Sequence, residues 1–307
     1  MDLRQLASLV AIADAGTFSA AATRLHTVQS NVSTHVARLE RELGVILVDR
    51  SAARLTSEGE VVVARARRVY AELDALVADV ASVGDEVAGY VRLGIIGTTG
   101  RWLLPPLLGT VAARYPQVRT ALLEGNTTSL LPQLLAGVLD LAVVNLPAED
   151  PDIVVEVLFE EDLVLVAPID HPLAANDIVG VDDLAAHPLL LPPTGASIRV
   201  ELDRAAAVAG VTLRSQAEFD GLRLIASLAF ESFGPAVLPA TAIPEGFDRP
   251  WRRIPLQGLR RRQVAIARRR RGLPSAPARA LLALVTDVVA AQAGAQSGVH
   301  LPASPPS

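Results

Sequence analysis

The 307 residues carry a formal net charge of −5, with 50% hydrophobic and 20% charged residues. This is the composition of an ordinary globular chain, not of a disordered one, and the length suffices for two or three independent cores. The absence of cysteine excludes disulfides, thiolate nucleophiles, Cys-ligated zinc, iron–sulfur clusters and thiol redox switches, and the cytoplasm is the compartment that fits best. All 28 basic residues are arginine, which we read as nucleotide composition bias. Asp2, Arg4 and Asp14 surround a short apolar run without a basic n-region, so no signal peptide is expected. No uncharged apolar stretch approaches the roughly 20 residues of a membrane span.

Leu3, Leu6, Leu9, Val10 and Ala13 recur at spacings of three and four, which predicts a first helix over residues 2–14, ended by Gly16. Thr17 or Ser19 caps a short second helix running through Leu25, and His26, Thr27 and Val28 make a turn. From Gln29 to Leu43 the residues Val32, Val36, Leu39 and Leu43 form one narrow stripe, leaving Ser30, Thr34, Ala37 and Arg41 outward, flanked by Asn31, Ser33 and Arg38. Alanines 20 to 22 let the second helix approach the third closely, as a helix-turn-helix requires. "VILVDRSAARLTS" alternates like a two-stranded wing turning near Ser51 to Ala53.

Residues 57 to about 88 follow a heptad. Val62, Val69, Leu76 and Val83 repeat at seven, as do Ala66, Leu73, Val80 and Val87, and Ser57 with Glu60 offers a capping box. A lone helix would expose that stripe, so a second copy of the chain is the expected partner. Gly84 and Gly89 mark the exit. Beyond them, "VRLGIIG", "VRTALLE", "DLAVV", "DLVLVAP", "PLLLP", "GPAVLP" and "RQVAIAR" read as buried strands, with helices at 101–114, 129–137, 198–209 and 276–292. This is an α/β pattern with a largely parallel sheet, folded as two lobes. The expected organisation is a winged helix-turn-helix domain over 1–58, a linker helix over 59–88 and a two-lobed α/β domain over 89–293. Its first lobe would span about 89–162 and 267–293 and its second about 163–266, with a disordered tail over 294–307.

The positions Gly16, Phe18, Ser19, Ala21, Ala22, Leu25, Gln29, Ser30, Val32, Ser33, Leu39, Glu40, Leu43, Gly44, Leu47, Arg50, Leu55, Thr56 and Gly59 resemble the N-terminal motif of LysR-type transcriptional regulators. The resemblance continues through "VRLGIIG", "LLPPLLGTVAARYPQV", "LLAGVLDLAVV", "HPLA" and "GPAVLP". It implies a mixed fold: a mainly α winged helix-turn-helix, a long linker helix, and a two-lobed α/β effector domain like a type 2 periplasmic binding protein. It further implies binding of operator DNA, antiparallel pairing of the linker helices in a homodimer, dimers that associate into homotetramers, contact with RNA polymerase, and no role for a membrane. Three positions depart from the family pattern: Val48 for a usual Phe, Thr34 for a usual Arg, and Ser232, beside Glu231, for a usual Gly on a wall of the effector pocket.

A helix in the major groove reads bases with its first turns, which here carry Gln29, Ser30, Asn31, Ser33, Thr34 and Arg38. Arg50 and Arg54 flank the wing turn and suit phosphate or minor-groove contact. "IIGTTGRWL" and "EGNTTSLL" each end a strand and open a helix, so Thr98, Thr99 and Gly100, and Asn126, Thr127, Thr128 and Ser129, sit at helix mouths suited to a small organic anion, joined from the second lobe by Thr194 and Ser197. Each is equally a helix cap. Arg268 to Arg271 reads as a solvated crossover loop near the interlobe hinge. The five histidines lack metal-ligand spacing, and no nucleophile elbow, phosphate loop or dinucleotide fingerprint is present; no cofactor and no enzymatic activity are expected. A solute-binding receptor would share the two lobes but would carry a secretory signal and no winged helix-turn-helix. A regulator that binds DNA constitutively with a vestigial pocket remains the other alternative. The first 60 residues hold six arginines against seven acidic residues, so DNA binding by this head depends on where the charges sit, and useful affinity on joining two heads.

Overall fold

A computed structural model of the chain describes residues 1–51, 54–83, 86–244 and 250–302. Helix α1, Leu3–Ala15, starts in a reciprocal capping box between Asp2 and Gln5 and ends at Gly16, whose φ of 74° is left-handed. Thr17, not Ser19, caps α2, Phe18–Arg24. The third helix, α3, is Gln29–Leu43. Val32, Val36 and Leu39 are fully buried against α1 and α2, with Ala21 and Ala22 in the close contact. Leu43, the last member of the expected stripe, is 41% exposed and lies outside the head's core. Strands β1, Val48–Asp49, and β2, Arg54–Leu55, pair antiparallel as the wing, whose tip at 52–53 lies outside the described residues. Val48 is 1% exposed and belongs to the head's core.

Helix α4 is Ser57–Ala81. Its cap is Thr56 rather than Ser57: the Thr56 hydroxyl accepts from Gly59 N at 3.0 Å and donates to Ile46 O at 2.7 Å, so one side chain starts the helix and ties it to the wing. Gly59 lies so close to the Leu47 carbonyl that a Cβ would stand 2.1 Å from the oxygen. The heptad expected to run to residue 88 stops early. Ser82 turns its hydroxyl back onto Ala78 O at 2.7 Å and accepts from Ala88 N at 3.2 Å, so Val83 and Val87 lie beyond the helix; Gly84 is outside the described residues. Val62 and Ala66 pack into the head's own core. What remains is a shorter outward stripe of Val69, Leu73, Leu76 and Val80, to which Val77 adds itself. The opposite face rests on the regulatory domain, where Ala78 meets Gly89, and Ala71 and the Arg68 backbone meet Gly137. Arg68 Nε donates to Leu135 O at 2.6 Å, and Asp79 accepts from Ala276 N at 2.7 Å.

The regulatory domain runs β3 (Gly89–Ile96), α5 (Gly97–Arg114), β4 (Val118–Gly125), α6 (Thr127–Leu135), β5 (Leu141–Asn145), β6 (Ile153–Glu161), β7 (Leu163–Pro168), α7 (Val181–Ala185), β8 (Pro188–Leu191), α8 (Ser197–Ala209), β9 (Arg214–Glu218), α9 (Leu222–Phe230), β10 (Ala236–Pro239), β11 (Trp251–Pro255), β12 (Arg262–Arg269), α10 (Ala276–Gln292) and β13 (Val299–His300). Two sheets form, in the orders β13-β6-β12-β5-β3-β4 and β11-β7-β10-β8-β9. Only β4-β3-β5 and β10-β8-β9 are parallel; the other pairings in both sheets are antiparallel. The expectation of largely parallel sheets is corrected accordingly, because strands that return between lobes enter their sheets reversed.

The chain crosses from the first lobe to the second at Asp162. It returns between Pro255 and Arg262, earlier than residue 267, because β12 pairs with β6 along its whole length from Arg262 and with β5 from Val264. The end of the described chain is not a tail. Residues 293–300 form a short 3-10 turn and β13, which pairs with β6, while buried Gln296 donates to Ala240 O at 3.0 Å and Ile243 O at 3.1 Å in the second lobe. Residues 303–307 of the expected tail lie outside the described residues. Ala276–Ala295 is long and apolar enough on paper to cross a bilayer, yet its Leu281, Leu284, Val285, Val288 and Val289 are core residues of the first lobe.

Candidate nucleic-acid interface and interlobe cleft

With Val32, Val36 and Leu39 turned inward, α3 presents Gln29, Ser30, Asn31, Thr34 and Arg38 to solvent. Asn31 Nδ2 donates to Thr27 Oγ1 at 3.0 Å, and Thr34 Oγ1 donates to Ser30 O at 2.8 Å. The Asn31 amide is thus aimed before any partner arrives and keeps its Oδ1 and second N–H for a base edge. Ser33 is half-buried and accepts from Arg50 Nη1 at 3.3 Å. Arg50 also lies 3.5 Å from Glu40 and 5.7 Å from the Phe18 ring centre. These two expected contacts therefore brace wing against helix in the free protein, whereas Arg38 and Arg54 are exposed and in no ion pair among the described residues.

Glu40 is the residue that sequence reasoning undervalued. It is 9% exposed, and its Oε1 accepts from Leu47 N at 2.9 Å and Val48 N at 3.3 Å. A carboxylate late in a helix reads as surface charge. Only the fold reveals that the chain returns past it with two unpaired amides.

Between the lobes lies a cleft of about 670 Å³. Thr98, Asn126, Thr127, Thr128, Ser129 and Ser197 line it as expected. Thr99 and Gly100 do not: successive helical residues turn by about 100°, so with Thr98 facing the cleft Thr99 is fully buried, and Gly100 lies against Ile95. Thr194 is exposed at the outer corner of a turn closed by Ala196 N on Pro193 O at 3.1 Å, which leaves Pro192, Pro193 and Gly195 to face inward. The Glu231–Ser232 departure lies at the end of α9, away from the cleft lining; Ser232 takes a left-handed φ of 64° and its hydroxyl donates to Pro250 O at 3.3 Å.

The residues missed are charged ones. Arg262, with a side chain 5% exposed, donates from Nε to Glu161 Oε1 at 2.8 Å and from Nη2 to Thr98 Oγ1 at 3.0 Å. The fully buried Glu161 accepts in turn from Thr241 N of the second lobe at 2.9 Å. Arg262 Nη1 and Asn145 Oδ1, on two cleft-lining residues, are buried without a partner among the described residues. No local motif flags such atoms, since Arg262 and Glu161 are 101 positions apart. Helices α5, α8 and α9 all begin at the cleft without a side-chain cap, at Ile96, Ala196 and Gly221, whereas α6 is capped by Asn126.

Two contacts bind the lobes with different strength. At the back, the strap over Ala240–Ile243 takes hydrogen bonds from Gln296 and from Arg101 Nη2, which donates to Thr241 O at 2.9 Å, beside the Glu161 bond. At the mouth, the half-exposed pair Glu124–Arg223 spans from β4 to α9, and Gly97 beneath it leaves the room a Cβ would fill. A wholesale hinge opening would break the buried set. Displacement at the mouth costs only an exposed ion pair.

Arg268 to Arg271 is only in part the solvated loop expected: Arg268 and Arg269 are the last residues of β12, where Arg269 donates to Leu134 O and Leu139 O, while Arg270 and Arg271 beyond the strand are exposed, Arg270 donating to Pro151 O and Ile153 O. Among the described residues no cluster suited to a metal ion occurs.

Comparison with known proteins places this geometry. Residues 3–60 match the family described as "Bacterial regulatory helix-turn-helix protein, lysR family", and residues 84–290 match "LysR substrate binding domain". Among curated relatives, a probable hydrogen peroxide-inducible genes activator of Streptomyces viridosporus is 35% identical over 246 residues, 78% of either chain. The DNA-binding transcriptional dual regulator OxyR of Escherichia coli is 31% identical over 246 residues, 80% of this chain and 81% of that one. Full-length OxyR of Pseudomonas aeruginosa, in a cysteine-to-aspartate variant, superposes with a TM-score of 0.76 at 27% identity, covering 100% of this chain and 99% of that one.

Proposed function

Since the chain belongs to the LysR family of DNA-binding transcription regulators, with a helix-turn-helix head and an effector-binding domain, we propose that its operator is read by Gln29, Ser30, Asn31, Thr34 and Arg38 of α3, with Arg54 on phosphate. Arg50 and Ser33 hold the wing in place for that contact. The supporting observation is the exposed polar face of α3, on which the bonds of Asn31 and Thr34 stay within the turn and the helix and Ser33 bonds to the wing. Two chains pair through the Val69–Val80 stripe, so that weak heads act together on a two-part site, in dimers that associate further. The working compartment is the cytoplasm, with RNA polymerase as the downstream contact. The protein is a regulator, as its relatives are, and not an enzyme.

Relatives are named for hydrogen peroxide-inducible genes, but this chain has no cysteine and a single methionine, Met1. No thiol can form a sulfenic acid or disulfide here. We therefore propose a reversibly bound small organic anion as the effector, seated among the hydroxyls of Thr98, Thr128, Ser129 and Ser197, the uncapped starts of α5, α8 and α9, and the unpartnered Arg262 Nη1. By contacting both lobes such a ligand favours one spacing of the mouth over another, and only this differential affinity can move the heads.

The test is thermal unfolding of the full chain against a panel of small carboxylates, with hydrogen peroxide as a parallel arm. At least one carboxylate is expected to raise the melting temperature and alter the operator footprint, and peroxide is expected to do neither. A peroxide response, or no response to any anion, would overturn the reading.

A further inference from the structure

One side chain in the DNA-facing turn has no work in the fold. Val28 is the residue from which α3 starts, at φ −99° and ψ 150°, and it is 59% exposed. That position strongly prefers Ser, Thr, Asp or Asn, whose side-chain oxygen closes a free helix amide, and here no side-chain cap exists. Thr27 does not compensate, because its hydroxyl is taken by Asn31 Nδ2. The backbone leading into Val28 is fixed by His26 at a left-handed φ of 51° and by Thr27 N on Ala22 O at 2.9 Å, so the isopropyl group is held outward and does not wander. A β-branched side chain with few rotamers loses little entropy on contact.

Gln29, Ser30 and Asn31, its three successors, are polar and exposed, so Val28 is an apolar point at the leading edge of a hydrogen-bonding surface. The major groove offers one apolar feature that distinguishes bases, the C5-methyl of thymine. We propose that Val28 reads a thymine methyl, fixing a dT·dA pair beside the bases contacted by Gln29 and Asn31. The inference rests on α3 being the reading helix.

The full chain is used to select an operator from a pool of random duplexes. Each thymine in the selected site is then replaced singly by deoxyuridine, which removes only the methyl, and affinity is measured at fixed salt. Wild-type protein is expected to lose about fourfold at one thymine in each half-site, the effect of one methyl-sized group leaving water, whereas Val28→Ser is expected to be indifferent at that position. Val28→Ser should also unfold at a higher temperature, since serine closes the open helix start; Val28→Ala should show a reduced methyl effect without that gain. Deoxyuridine replacement that weakens neither protein, or both equally, overturns the assignment of Val28. Failure to select any operator would instead overturn the reading of α3, and the Val28 assignment with it.

Discussion

Replacing Glu40 with alanine removes the acceptor for two backbone amides at once. Leu47 and Val48 are 0% and 1% exposed, so water has poor access to the N–H groups left behind. A hydrogen bond to a charged group contributes about 1.5–3 kcal/mol. The 2.9 Å bond to Leu47 lies inside that range, and the 3.3 Å bond to Val48 falls at its lower end. The Arg50 contact, at 3.5 Å on a side chain 52% exposed, adds at most about 0.5 kcal/mol. The head should lose about 3–5 kcal/mol, a large part of the stability of so small a unit. Glu40→Gln keeps one carbonyl acceptor and should lose about 1 kcal/mol. Both tryptophans lie outside the head, so hydrogen–deuterium exchange of the 44–56 segment is the suitable assay, with operator affinity measured in parallel. The alanine variant should exchange this segment faster and bind operator more weakly, with the regulatory domain unaffected. Unchanged exchange in the alanine variant would refute the claim that Glu40 holds the wing.

Leu76→Glu places a carboxylate in the outward stripe of α4; sedimentation should show loss of the dimer, and operator affinity should fall at least about tenfold as the heads act singly. Arg262→Met leaves Glu161 buried without its cation and should destabilise the regulatory domain by about 3–5 kcal/mol, measured by urea unfolding, and it should abolish the response to a carboxylate. Asp140 is pushed above the usual carboxylate range by burial, which the Arg92 backbone N–H and guanidinium only partly offset. A carboxyl that binds its proton more tightly folded than unfolded costs stability once ionised. Asp140→Asn should therefore stabilise at neutral pH, with a gain that fades as pH falls from the raised folded value to the ordinary one.

The head was readable because its periodicities are local. The Val32, Val36 and Leu39 stripe, the Gly16 stop and the α3 bounds all follow from spacings within one or two turns. Sequence and structure part where two distant segments decide together. The heptad extends past the helix because the backward hydroxyl of Ser82 leaves no mark on a pattern of apolar residues. Val62 and Ala66 fit the same repeat as Val69 but are claimed by a different core. In the cleft, strand-to-helix junctions announced Thr98, Asn126 and Ser129, whereas Arg262, Glu161 and Asn145 meet only through sheet pairing. The segment from Ala293 to His300 reads as a tail because it has no period, and its hold comes from Gln296 and two bridge positions on β6.

The central claim joins an operator-reading face on α3 to an anion-responsive cleft, and a footprint of the full chain on its selected operator, with and without a stabilising carboxylate, tests both halves. The wild type should protect the site and change its protection when the carboxylate is added. Thr34→Ala combined with Arg38→Ala should lose specific protection while keeping the dimer and the carboxylate's effect on unfolding. Undiminished protection by that double variant, or a wild-type footprint indifferent to every anion that raises the melting temperature, would contradict the account.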